Sequence, residues 1–101
     1  MRIAIASSGK DENSKISAVF GRAPYYLIYE NKKLVEVIKN PFAIGGGGAG
    51  FSVAQMLINK GVEIVISGNF GSHIENVLRS KKIKMKQIND KTVKQSIEEI
   101  V

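Results

Sequence analysis

The stretch PFAIGGGGAGFSVAQMLINKG, residues 41–61, decides how the rest of the chain is read. A proline ends one segment, four consecutive glycines follow, and Gly50 leads into an apolar helical pattern that Gly61 closes. Six of the chain's ten glycines lie in this stretch. Within it, Phe51, Ala54, Leu57 and Ile58 recur at helical spacing, with Val53 and Met56 broadening the stripe. The spacing predicts a helix over residues 50–60, with Gly61 where a C′ glycine belongs. A glycine loop entering a helix lets backbone approach a ligand, and it presents free N–H groups at the positive end of the helix dipole. The same loop also reads as a plain connector, and both readings stand at this point.

Working outward, residues 2–7 (RIAIAS) and 63–67 (EIVIS) carry apolar side chains on both faces, the pattern of strands buried in the middle of a sheet. Residues 25–30 (YYLIYE) are rich in strand formers, and residues 34–39 (LVEVIK) read as the return strand of a hairpin at a sheet edge. Ser72-His73-Ile74-Glu75 matches a capping box that opens a second helix. In residues 83–88, Ile83 and Met85 alternate with Lys84 and Lys86, as in a second edge strand. Asn89 or Asp90 is the expected cap of a last helix over residues 91–101. The expected fold is a single α/β domain over residues 1–101. Its mixed five-stranded sheet runs in order 3-2-1-4-5, strand 2 antiparallel to strand 1, with helices on both faces and a right-handed crossover between the central strands.

Composition bounds the chemistry. A chain of 101 residues suits one domain and buries about 60–65% of its unfolded surface. No apolar run reaches the roughly 18 residues of a membrane span, and the reading is a soluble cytoplasmic protein. There is no cysteine, so disulfides, thiolate ligands and cysteine nucleophiles are excluded together. Fifteen Lys/Arg against nine Asp/Glu give a net charge of +6, which favours anionic partners. Nucleic acid is not the expected partner, because no RNA- or DNA-binding motif accompanies that charge. The basic run Arg79, Lys81, Lys82, Lys84 and Lys86 reads as a helix end and a protected sheet edge.

In an open α/β sheet, ligands bind beyond the carboxyl ends of the parallel strands. Three loops of small residues meet there: residues 7–9, 45–50 and 68–71. Ser7, Ser8 and Asn69 are candidate hydrogen-bonding residues at that site, although each taken alone reads more readily as local turn chemistry. Arg22, after Phe20-Gly21, is a candidate bidentate clamp for an anion. His73, the single histidine, reads as a surface helix residue. The expected sheet order resembles that of ribonuclease H-like domains, but the first strand carries no carboxylate to hold catalytic metal ions. The glycine loop lacks the Lys-Ser/Thr of a phosphate-binding loop. No enzyme is expected.

Taken in order, MRIAIAS at the start, FGRAPYY at residues 20–26, NPF at 40–42, the glycine loop and ISGNFG at 66–71 resemble the dinitrogenase iron-molybdenum cofactor biosynthesis family, which includes nitrogenase accessory factors and small stand-alone proteins. The resemblance runs the length of the chain. It implies a ribonuclease H-like domain that carries or delivers an iron-sulfur or iron-molybdenum cluster precursor without catalysis, and cofactor-assembly proteins as partners. The cofactor-binding residues it implies are Ser7, Ser8, Phe20, Gly21, Arg22, Gly46, Gly47, Gly48 and Asn69. Many members of that family have a histidine directly before Phe-Gly, a residue linked to cofactor binding. Here that position is Val19. The alternative is therefore an anion-binding or protein-interaction module of the same fold that has lost cluster binding.

Overall fold

The computed structural model describes residues 1–42 and 49–100. The chain forms β1 (Arg2–Ser7), β2 (Tyr25–Glu30), β3 (Lys33–Lys39), α1 (Ala49–Asn59), β4 (Ile64–Ser67), α2 (Ser72–Ser80), β5 (Lys84–Gln87) and α3 (Val93–Ile100). The sheet has five strands in the order β3-β2-β1-β4-β5. Strand β1 pairs antiparallel with β2, from Arg2 opposite Glu30 to Ser7 opposite Tyr25, and parallel with β4, Ile3 opposite Ile64. The β2–β3 hairpin carries a bulge at Ile28/Tyr29, and β5 extends β4 in parallel.

Strand alternation divides the core in two. Ala4 and Ala6 face one side of the sheet, together with Tyr26, Ile28 and Val65. There they meet α1, which buries Val53, Ala54 and Leu57, and α2, which buries Leu78. Ile3, Ile5, Leu27, Tyr29 and Ile66 face the other side, where α3 packs Val93 and Ile97 onto them. Small alanines under α1 and α2 let those helices seat closely, while isoleucines fill the space beneath the single helix α3. Helices on both faces and the strand order agree with the expectation. Strand β2 is also buried on both faces, because α1 and α3 reach over it from opposite sides.

Three local expectations are corrected. Ser72 is the first residue of α2 rather than its cap. The N-cap is Gly71, at φ 83°, and no side chain caps it. A capping box instead opens α3: the Gln95 N–H donates to Thr92 Oγ1 at 3.2 Å, and the Thr92 N–H donates to Gln95 Oε1 at 2.9 Å. Neither Asn89 nor Asp90 caps α3. Phe51, expected on the apolar stripe of α1, is 49% exposed, because the buried face of the helix is centred on Val53, Ala54 and Leu57.

Candidate functional site

The carboxyl ends of β1 and β4 lie side by side, since these strands are parallel neighbours. Residues 16–20 leave this edge and run along residues 68–69. The Gly68 N–H donates to the Ser17 carbonyl and the Phe20 N–H to the Asn69 carbonyl, both at 2.9 Å. The approach is so close that a Cβ on Gly68 would lie 2.8 Å from both the Cα and the carbonyl oxygen of Ala18. Gly68 is therefore required by space.

Phe20 is fully buried and anchors the segment. Its ring lies 5.4 Å from that of Phe70 and meets Tyr26 edge-on at 5.9 Å. The Tyr26 hydroxyl donates to the Phe20 carbonyl. The Asn40 side chain, 5% exposed, donates to the Gly21 carbonyl at 3.2 Å and the Ala23 carbonyl at 2.8 Å. Its own oxygen accepts from the Phe42 N–H at 2.8 Å. Asn40 and Tyr26 thus clamp the backbone on both sides of Gly21-Arg22, and Arg22 stands exposed at the tip of a braced loop. Burial raises the Tyr26 phenol well above its ordinary range, so it remains a neutral donor at physiological pH.

The helices close the site from above. A Cβ on Gly50, in the first turn of α1, would lie 3.0 Å from the Ile74 side chain of α2 and 3.9 Å from the Gly21 Cα. The N-terminal turns of α1 and α2 therefore meet next to Gly21. Both dipoles direct their positive ends to the same region as Arg22, and no side chain caps α2.

Phe20, Gly21, Arg22 and Asn69 are brought together. The Asn69 side chain accepts from the Gly71 N–H at 3.1 Å, which makes the turn into α2. Ser7 and Ser8 sit at the end of β1, and their hydroxyls serve their own loop. Ser7 Oγ donates to the Gly9 carbonyl at 2.6 Å, and Ser8 Oγ donates to the Lys15 carbonyl at 2.9 Å. Ser7 alternates with Ala6 and so points to the α3 side, away from Gly21 and Gly50. Gly46, Gly47 and Gly48 lie outside the described residues. His73 is an exposed residue of α2, and Val19 is 49% exposed beside Asn69. Among the described residues no group of three His, Cys, Asp or Glu could hold a metal ion.

Sequence reasoning missed three residues here. Asn40 and Tyr26 are positioning residues, and only the Asn-Pro-Phe run hinted at the first. The third is Ser67, the last residue of β4. It is fully buried on the α1/α2 side, and its hydroxyl has no hydrogen-bond partner among the described residues. A groove of about 840 Å³ runs along the outer side of α1, from Phe42 and Phe51 toward Arg2 and Lys60. Among the described residues, it includes none of those expected at the site.

No curated protein sequence matches the chain. Among solved structures, the apo form of the orange protein from Desulfovibrio gigas superposes with a TM-score of 0.90 at 25% identity, covering 98% of this chain and 85% of that one. A Thermotoga protein, described as a candidate NifB protein of the DUF35 family, superposes with a TM-score of 0.80 at 35% identity, over 98% of this chain and 85% of its own. The family model described as dinitrogenase iron-molybdenum cofactor matches residues 1–101, and the chain belongs to that family.

Proposed function

We propose that this protein is a non-enzymatic carrier of an iron-sulfur or iron-molybdenum cluster precursor, working in the cytoplasm with cofactor-assembly proteins. The observation that carries this reading is the family match over the whole chain. The orange protein, a structural relative, has a defined apo form, which supports reading this fold as a container. The cargo-facing surface is the mouth where Gly21, Arg22, Asn69 and the first turns of α1 and α2 meet, with Ser7 and Ser8 beside it on the neighbouring strand end and Phe20 as its buried support. Gly46, Gly47 and Gly48 are retained in the proposed cofactor-binding set on the sequence alone.

The donor set fits an anionic cluster held from outside rather than ligated through side chains. The chain has no cysteine and one histidine, and the described residues offer no carboxylate cluster. Helix N-termini and a guanidinium supply N–H donors and positive potential, which suit sulfide-bridged anions.

A second reading, an anion-binding or interaction module without cargo, is favoured by one observation. The exposed residue beside Asn69, just before Phe20-Gly21, is Val19 rather than an imidazole. Anaerobic titration of the parent and Val19→His with a cluster assembled from ferrous iron and sulfide, followed by visible absorption, separates the two. Uptake by both supports the carrier. Uptake by the variant alone supports the module, and uptake by neither removes the carrier.

A further inference from the structure

Ser67 is the one buried hydroxyl that the fold does not use. Ser7, Ser17, Asn40 and Ser96 are also buried, and each donates to a backbone carbonyl: those of Gly9, Val19, Ala23 and Val93. Ser67 is fully buried too, yet among the described residues its hydroxyl has no hydrogen-bond partner. A buried donor without an acceptor costs stability, so its presence calls for a reason outside the packing of the core.

The place of Ser67 in the sheet shows what its hydroxyl lies under. Val65 packs in the core beneath α1 and α2, so strand alternation turns Ser67 to that same face. Ser67 stands opposite Gln87 of β5, and Gln87 lines one hollow together with Glu75 and Arg79 of α2. Only residues 68–71 separate Ser67 from the start of that helix. The hydroxyl therefore lies beneath the first turn of α2. That turn also lacks partners. No side chain caps it, and the N–H groups of Ser72, His73 and Ile74 have no acceptor among the described residues. Its acid, Glu75, leans to Arg79 at 3.7 Å. A helix N-terminus and a buried hydroxyl thus bring proton donors to one place without an acceptor, and the Gly21 backbone stands next to it across the Gly50–Ile74 contact.

We propose that Ser67 is a cargo-contacting residue of the mouth. Its hydroxyl donates to an acceptor atom of the anion seated at the start of α2, and so selects cargo that offers an acceptor on its sheet-facing side. The turn that covers Ser67 is pinned by no side-chain cap, so it can lift by the small distance the contact requires. Ser7 and Ser8 do not supply this donor, because their hydroxyls serve their own loop. The assignment rests on the carrier reading above and adds to it a residue that faces the cargo from below.

The test measures thermal stability of the metal-free protein and anaerobic cluster uptake on the same variants, with a cluster assembled from ferrous iron and sulfide as the probe. Ser67→Ala removes a hydroxyl that the metal-free fold does not use, so its Tm is expected to equal or exceed the parent's. Its affinity for the cluster is expected to fall about tenfold, as for the loss of one hydrogen bond to a charged acceptor. Ser96→Ala is the control. Its hydroxyl donates to the Val93 carbonyl at 2.7 Å, so its loss should lower Tm and leave uptake unchanged. A lower Tm in Ser67→Ala would show that the hydroxyl is bonded within the protein, and would overturn the proposal. Uptake by Ser67→Ala equal to the parent's would overturn it and leave the carrier reading standing. No uptake by the parent would remove the carrier reading, and this assignment with it.

Discussion

Gly68 and Asn40 carry the most at the scale of single residues. A methyl group on Gly68 meets backbone atoms of Ala18, which cannot rotate away. Gly68→Ala should therefore cost about 1–3 kcal/mol, read as a lower urea midpoint at unchanged slope. Gly50→Ala meets only the flexible end of Ile74 and should cost less. Asn40→Ala leaves the buried carbonyl of Ala23 without its donor, at a cost of about 1–3 kcal/mol. It should also loosen residues 21–23, seen as faster amide exchange there than in β1. Equal exchange in the parent and the variant would show that Asn40 does not hold the loop. These roles were hard to read beforehand. Gly68 was visible as one loop glycine among several, but the contact that requires it, with Ala18, spans fifty residues of sequence. The Asn40 side chain likewise acts on carbonyls far upstream in the chain. Ser7, Ser8 and Asn69 were legible as polar residues at strand ends. What their hydroxyl and amide groups bond depends on loop paths that only the folded chain defines.

Among elements, periodicity succeeded wherever burial enforces it. The two-sided apolar pattern of residues 2–7 and 63–67 placed β1 and β4 at the centre, because only a strand covered on both faces keeps isoleucine and alanine alternating without a polar side. Caps were less legible. Ser72-x-x-Glu75 and Thr92-x-x-Gln95 both fit the pattern, but only the second forms. Asn69 Oδ1 already holds the Gly71 N–H, so the chain enters α2 one residue early. Thr92→Ala should consequently destabilise the protein by about 1 kcal/mol, while Ser72→Ala should change its thermal midpoint little. Equal losses at the two sites would contradict the assignment of the caps.

For the whole molecule, two buried phenols contribute to the loss of stability at alkaline pH. Burial raises Tyr26 and Tyr29 far above their ordinary value of 10.0, and for Tyr29 the hydrogen bond to the Glu12 carboxylate at 3.0 Å adds to it. A raised folded pKa means that the unfolded chain loses these protons first. Their contribution is complete below pH 10.0 and is lost as pH climbs past it. Denaturation midpoints should stay flat with respect to these two groups up to about pH 9 and then fall, and Tyr29→Phe should flatten that fall. An unchanged alkaline slope in the variant would exclude Tyr29 as a contributor.

The sheet order and the two-sided helix cover were both readable from the chain, because each strand's pattern names the faces it needs covered. The mouth was readable only as a place, the shared carboxyl end of β1 and β4, and not as a set of side chains. That mouth also decides the central claim, that Gly21, Arg22 and the helix N-termini hold an anionic cluster. The most direct measurement is metal and sulfide analysis of the protein purified without oxygen, beside Arg22→Glu prepared identically. The account predicts iron or molybdenum with sulfide and visible absorption in the parent, and their loss in the variant with the fold intact by circular dichroism. A parent free of metal and sulfide, or a variant that retains them in full, would contradict it.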